Sequence, residues 1–443
     1  MHYLKIITLF LYGTIHTLMA QNPAATTFDP NTKNAVLDSV AQALSHYYVY
    51  PDKAAAMIHL LKKQATLKLF DTLTNPNDIG HVITKQIRAV YYDRHLQIRY
   101  DPALAERIQI FLATKQPDVT DYQREKQHNF YFKKVEILPA NIGYLEFTNF
   151  ADTSKAARQT VRAALQFVAN TDALIIDLRN NFGGNGIMLN EILSYFFAEK
   201  TLIGRNYNRL TNEWTAQWIV NDFAITNGLQ LNMPAYILTS KRTFSAAEGL
   251  AYHLKYLKNA IIIGDTTRGG AHLTRSFNLG NGFVGFIPYT RSEQVMTGTD
   301  WEGTGVIPNF YTSEENAMLY TQQAILNKKL QMTKDETEQR KITWLLDELK
   351  TKTEVFTIPL NELSNYIGEY EEFVITIKDE QLICTNTHQL NKTDVLIPIS
   401  ATLFQVDAQL QIAYIQNTEG QYDSIQLRWN DGWVDLVKKT KNK

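Results

Sequence analysis

Residues 239–252, TSKRTFSAAEGLAY, place Ser245 at the expected start of a helix, ahead of the small residues Ala246 and Ala247. A helix N-terminus offers free N–H groups and the positive end of the aligned peptide dipoles. A serine there can attack a carbonyl while the Ala246 N–H helps hold the resulting oxyanion. The same serine also reads as a plain helix cap, with Glu248 completing an S-x-x-E capping box. Ser240 and Thr243 are rival hydroxyls in the loop. Residues 177–186, DLRNNFGGNG, carry the paired glycines Gly183 and Gly184 after an apolar strand. Such a pair frees the backbone to turn N–H groups towards a negative oxygen, and equally marks a tight strand-to-helix turn. The pattern is neither a dinucleotide fingerprint nor a P-loop.

A serine nucleophile needs a base. His95, in the polar pair Arg94–His95 between apolar segments, is the first candidate. His272 lies in a third glycine-rich loop, GDTTRGGAH at 264–272, with Asp265 as a nearby carboxylate; these two are second choices. His253 falls inside an amphipathic helix and reads as a surface or core residue. No histidine pair has metal-binding spacing, so neither a metal nor another cofactor is expected. The single cysteine, Cys384, excludes an internal disulfide framework, a cysteine zinc site and an iron–sulfur cluster.

Three segments between residues 34 and 92 have helical apolar spacing, broken at Pro51, with a cap expected at Asn77 or Asp78. Alternation from Leu96 to Tyr100 predicts a strand, and 103–130 reads as a weakly patterned connection. From about Val135, short apolar runs alternate with helical stretches, which predicts βαβ units and a largely parallel sheet. All three loops then follow strands, where open α/β sheets place their ligands. Beyond Pro308 the chain turns charged and helical, and from Tyr366 it is strand-like. The expected organisation is a signal peptide at 1–20, an N-terminal helical domain at 21–130, an α/β catalytic core at 131–312, a helical linker at 313–356 and a small antiparallel β domain at 357–443.

The 443 residues are 44% hydrophobic and 20% charged, with 44 basic against 45 acidic side chains. That balance argues against a nucleic-acid partner, which needs a basic excess. A basic start, an apolar run from Ile6 to Met19 and a small residue at Ala20 have the shape of a secretory signal. The mature protein is expected to be exported, periplasmic or secreted, without stable membrane insertion after cleavage.

The stretches YVYPDKA, YYDRHLQIRY, ILPANIGYLEF, DLRNNFGGNG, TSKRTFSAAEGLAY, IIIGDTTRGGAH and TGTDWEGTGVIPN occur in one order over about residues 34–312. As a set they resemble the tail-specific, or C-terminal-processing, serine peptidase family, in the branch related to tricorn protease and interphotoreceptor retinoid-binding protein. The resemblance implies a crotonase-like α/β core behind an N-terminal helical domain. It implies Ser245 as nucleophile in T-x-S-A-A-E, His95 as general base in D-x-H-L, and Glu302 of W-E-G as the group orienting or charge-stabilising His95. The oxyanion hole would use the Ala246 N–H with one from Gly183 or Gly184, on a peptide or protein substrate.

The chain departs from the pattern in places. Bacterial tail-specific members keep a base lysine in G-x-x-T-x-G-K-G, but this loop holds Arg268, which stays protonated. Arg94 stands where the tricorn branch has a serine, Phe182 replaces the first of three glycines, and 101–134 is too short for a PDZ domain. Trp301 and Phe244 read as packing residues. The resulting expectation is an exported serine endopeptidase. The alternatives are a non-catalytic binder of apolar ligands or peptides on the same scaffold, and an acyl-CoA enzyme, which an exported protein would rarely serve.

Overall fold

The computed structural model describes residues 28–115, 119–353, 355–389 and 392–440; the signal segment at 1–20 lies outside the described residues. Three helices come first: α1 (Pro30–Tyr47), α2 (Pro51–Thr66) and α3 (Pro76–Val90). Each opens on a proline, whose missing N–H costs nothing in the first turn. Pro51 therefore begins a helix as well as ending one. The cap of α3 is Asn75, accepting the Asn77 N–H at 2.9 Å, because Pro76 takes the first helical position ahead of the expected cap residues.

After β1 (Gln97–Tyr100) the expected connection is helical, as α4 (Pro102–Thr114) and α5 (Val119–Gln127). Leu104, Ile108, Phe111 and Leu112 do fall at helical spacing in α4, although Ala105 is the one buried residue described there. There follow β2 (Phe132–Leu138), β3 (Ile142–Phe147), α6 (Lys155–Phe167), β4 (Ala173–Asp177), α7 (Gly186–Ser194), β5 (Thr201–Asn208), β6 (Glu213–Ile219), a short α8 (Phe223–Thr226), β7 (Ala235–Thr239), α9 (Ala246–Lys258) and β8 (Ile261–Gly264). Then come β9 (Leu273–Gly280), β10 (Phe283–Gln294), β11 (Phe310–Tyr311), α10 (Glu314–Met332) and α11 (Glu336–Lys350).

The core is a six-stranded sheet in the order β11-β8-β7-β4-β3-β2, parallel except for the edge strand β2. Strands β4 and β7 are buried along their whole length, as parallel strands covered on both faces must be. Apolar residues of α6, α7 and α9 cover one face. Ala317 and Ile325 of α10 cover the other, against Tyr144, Ile175, Tyr236 and Ile263. The segment expected as a linker is thus partly a layer of the core. Its second helix, α11, holds the C-terminal strands through Trp344 Nε1, which donates to Arg428 O at 3.1 Å, and the Asp347–Arg428 pair at 2.9 Å. Those strands form antiparallel sheets of four and five members.

The N-terminal helices do not stand alone. Val36, Leu44, Met57, Ile83 and Ile87 pack with Ile98 against Leu279, Phe283 and Ile287. Strand β1 pairs antiparallel with β10, Ile98 opposite Gly285. A boundary near 130 therefore cuts through a shared sheet. This pairing carries His95, two residues before β1, to the core. Among the described residues no helix is long and apolar enough to cross a membrane.

Truncating Ile98, which is 2% exposed, to alanine is expected to cost about 2–5 kcal/mol of stability. Denaturant unfolding should show that loss, together with slower reaction of Ser245 with an active-site probe, because the strand that seats His95 loosens.

Candidate active site

Ser245 lies in the turn between β7 and α9 with φ 56° and ψ −119°, a conformation that costs a non-glycine residue about 1–3 kcal/mol. Neighbouring bonds hold the strain. Thr243 Oγ1 donates to Leu178 O at 2.7 Å, Ser240 Oγ donates to Arg179 O at 2.6 Å, and the Phe244 N–H donates to Asn181 O at 3.1 Å. The two rival hydroxyls are thus buried and spent on tying this loop to the 177–181 loop. Glu248 Oε2 accepts the Ser245 N–H at 2.8 Å, so the carboxylate half of the expected capping box is present. The serine hydroxyl sits 3.1 Å from His95 Nε2.

His95 is presented by a loop built around Asp93. Asp93 Oδ1 accepts the N–H groups of His95 and Leu96 at 3.0 and 3.3 Å. Arg88, from the end of α3, donates to the carbonyls of Asp93, Arg94 and Leu96 at 2.7–3.0 Å. The imidazole stacks on Phe244, ring centroids 4.5 Å apart. Gly270 makes room for the stack, since a Cβ there would lie 2.2 Å from the Phe244 ring and 2.8 Å from His95 Cε1. Burial lowers the His95 pKa to about 4, only partly offset by the charge of Asp93. His95 is therefore neutral, and able to accept a proton, at ordinary pH.

The two glycines differ. The Gly183 N–H donates to Asn181 Oδ1 at 2.9 Å, which commits it inside the loop and removes it as an oxyanion donor. Gly183 is needed for a different reason: a Cβ would sit 2.7 Å from Phe244 O and Ser245 Cβ. The N–H groups of Gly184 and Ala246 have no acceptor among the described residues. Both residues line, with Ser245 and His95, a cleft of about 460 Å³.

Glu302 is placed differently from the expectation. Its Oε2 accepts the Ala271 N–H at 2.7 Å and lies 3.6 Å from His272 Nδ1, and no bond joins it to His95. His95 Nδ1 and Glu302 Oε1 are both buried without a partner among the described residues. Burial raises the Glu302 pKa to about 7. His272, a second choice for the base, is 1% exposed and donates from Nδ1 to Asp93 Oδ2 at 2.8 Å. Burial works against its charged form, but the hydrogen bond and charge of Asp93 raise its pKa. Burial would likewise raise Asp93, yet His272 holds it below the usual carboxylate range. Asp265, the other second choice, is a part-exposed partner of Lys241 at 3.2 Å, away from the histidines. Asp93, His272 and Glu302 bring potential ligand atoms within 4.8 Å of one another. The hydrogen bonds given above already use His272 Nδ1, both oxygens of Asp93 and one of Glu302.

Glu248 was read only as a cap, but it does more. Fully buried, it accepts the Thr267 hydroxyl, the Gly269 N–H and the Gly270 N–H at 2.5–2.9 Å besides that of Ser245. Desolvation raises its pKa to about 7 against those four bonds. Asp93 and Arg88 were also missed; an acid two residues before the histidine was the available signal. Trp301 and His253 are core residues, Trp301 donating from Nε1 to Gly270 O at 2.8 Å.

A strained serine at a helix start, a neutral imidazole within reach and two unspent N–H groups are the parts of a serine hydrolase. Residues 141–312 match the model of peptidase family S41. Over 170 residues the chain is 28% identical to carboxyl-terminal-processing peptidase 2, chloroplastic, from Arabidopsis thaliana, a match covering 38% of this chain and 31% of that protein. The chain thus spans about a third of that relative's length. Among solved structures, a lipoprotein from Streptococcus agalactiae is similar at 16% identity, covering 67% of this chain and 96% of that one, TM-score 0.46. A putative peptidase from Parabacteroides merdae gives 19%, 65%, 92% and 0.45. Tricorn protease gives 13%, 72%, 37% and 0.43.

Glu248→Gln would turn an amide N–H₂ towards donors. We expect about 1–3 kcal/mol of lost stability, read by denaturant unfolding. Asp93→Asn should unpair a buried ion pair, lower the His272 pKa in an NMR titration and cost about 3–5 kcal/mol.

Proposed function

We propose that the protein is an exported serine endopeptidase whose crotonase-like core supplies Ser245 and whose N-terminal region supplies His95. The observation that carries the proposal is the 3.1 Å approach of His95 Nε2 to the hydroxyl of a serine in a strained backbone conformation. As Ser245 Oγ bonds to the substrate carbonyl carbon, its proton passes to His95 Nε2. The oxyanion meets the N–H groups of Ala246 and Gly184. His95 then gives the proton to the leaving amine as the C–N bond breaks, and the same imidazole activates the water that hydrolyses the acyl-enzyme. Asp93 positions His95 through its main chain, and its charge favours the imidazolium that forms. Glu302 acts through His272 and the main chain of the 271–272 turn. The substrate is a peptide or protein, and no nucleic-acid partner is implied. A non-catalytic binder of apolar ligands would have no use for a strained serine paired with a neutral histidine, which disfavours that alternative.

Reaction with a fluorophosphonate probe, followed by mass spectrometry of the modified peptide, tests the proposal. Wild type should be labelled at Ser245, Ser245→Ala should not, and His95→Ala should react roughly 10²–10⁴-fold more slowly. The labelling rate should rise with pH through the His95 pKa, because only the neutral ring accepts the proton. That rise should centre near 4, well below the ordinary histidine value of about 6.5. An absence of labelling at Ser245 in folded protein, with binding of an apolar ligand instead, would reverse the assignment.

A further inference from the structure

A second cavity, of about 1090 Å³, opens between α4, α5 and β9. The catalytic cleft and this cavity share Asn185, and β9 runs from one to the other: Leu273 and Thr274 line the cleft, Arg275 to Asn278 line the cavity. Among the described residues β9 has one strand partner, β10, so its other edge carries no strand. The register shows which main-chain groups face that edge. Thr274 stands opposite Pro288, which has no N–H and whose carbonyl accepts the Val49 N–H at 2.9 Å. The pair exchanges no hydrogen bonds, so the N–H and C=O of Thr274, and of Ser276 two residues on, point away from β10.

The cavity is lined by apolar side chains that a folded chain ordinarily hides, among them Tyr47, Ile108, Phe111 and Tyr122, with Phe277 from β9. Phe111 is 48% exposed. It also contains an unspent acceptor. Glu125 is 8% exposed; its Oε1 accepts the Asp152 N–H at 3.0 Å, while Oε2 has no partner among the described residues. An occupant with an N–H donor beside an apolar side chain fits both features, since a buried acceptor is costly until paired.

We propose that this cavity is a distal substrate subsite: an extended polypeptide lies along the open edge of β9 and seats an apolar side chain among Ile108, Phe111 and Phe277. From Thr274 to Phe277 is three residues, about 10 Å of extended chain, so the seated residue lies a few positions from the bond at Ser245. Main-chain pairing supplies affinity regardless of sequence, and the cavity supplies preference. The occupant's identity as substrate rests on the peptidase reading above; the binding itself does not.

The test reads binding on Ser245→Ala protein, by the anisotropy of fluorescein-labelled β-casein, an unfolded apolar-rich chain. Adding Phe111→Glu or Ile108→Glu should weaken binding at least tenfold. Adding Val355→Glu, at an exposed apolar site outside the cavity, should not. Thermal melts monitored by circular dichroism identify variants that fold as the parent does. Casein that fails to bind the parent, or binds both groove variants as tightly, overturns the subsite. Failure of the peptidase reading shows separately, as wild-type protein unlabelled by fluorophosphonate.

Discussion

One buried carboxylate holds the site together. Glu248 takes hydrogen bonds from the N–H of Ser245 and from three donors of the 267–270 loop. That loop carries Gly270, whose missing side chain admits the stack of Phe244 on His95. Serine position, loop position and imidazole position are therefore coupled through one group. A carboxylate wholly removed from water is expensive, and four donors aimed at it offset that expense only while every loop stays in place. The arrangement makes the site rigid as a unit.

The two histidines near Asp93 show how environment divides similar side chains into different roles. Asp93 meets His272 through a hydrogen bond at Nδ1 and meets His95 through the main chain. The first ring is buried, and its bond to Asp93 favours its charged form. The second is left neutral, stacked on Phe244 and facing the Ser245 hydroxyl. Glu302, further out, completes the charge balance around His272.

Much of this was legible beforehand because it rests on local rules. Alternating strands and helices beyond Val135 pointed to a parallel sheet, and glycine-rich or small-residue loops after β4, β7 and β8 marked its working edge. The pairing of Ser245 with His95 is different, since 150 residues separate them, and it came from a resemblance in motif order. What stayed hidden depended on long-range geometry. No local pattern says that Ser240 and Thr243 donate to the neighbouring loop, or that Asn181 takes the Gly183 N–H. Nor does spacing reveal that Glu302 faces His272. Helix α4 buries little, although its apolar residues have helical spacing, and that exposure gives the cavity beside β9 its apolar lining.

The sharing of one sheet by the N-terminal region and the core has a consequence for the boundaries of the folded unit. The family-matched segment begins at residue 141, but His95 lies forty-odd residues earlier, just ahead of β1, which is stitched to β10 inside that segment. Cut at the family boundary, the chain would keep Ser245 and lose the imidazole that stands 3.1 Å from it. The smallest unit with both is set by strand pairing, so a nick between β1 and β2 would leave the two halves of the site held by a sheet edge and a layer of side chains.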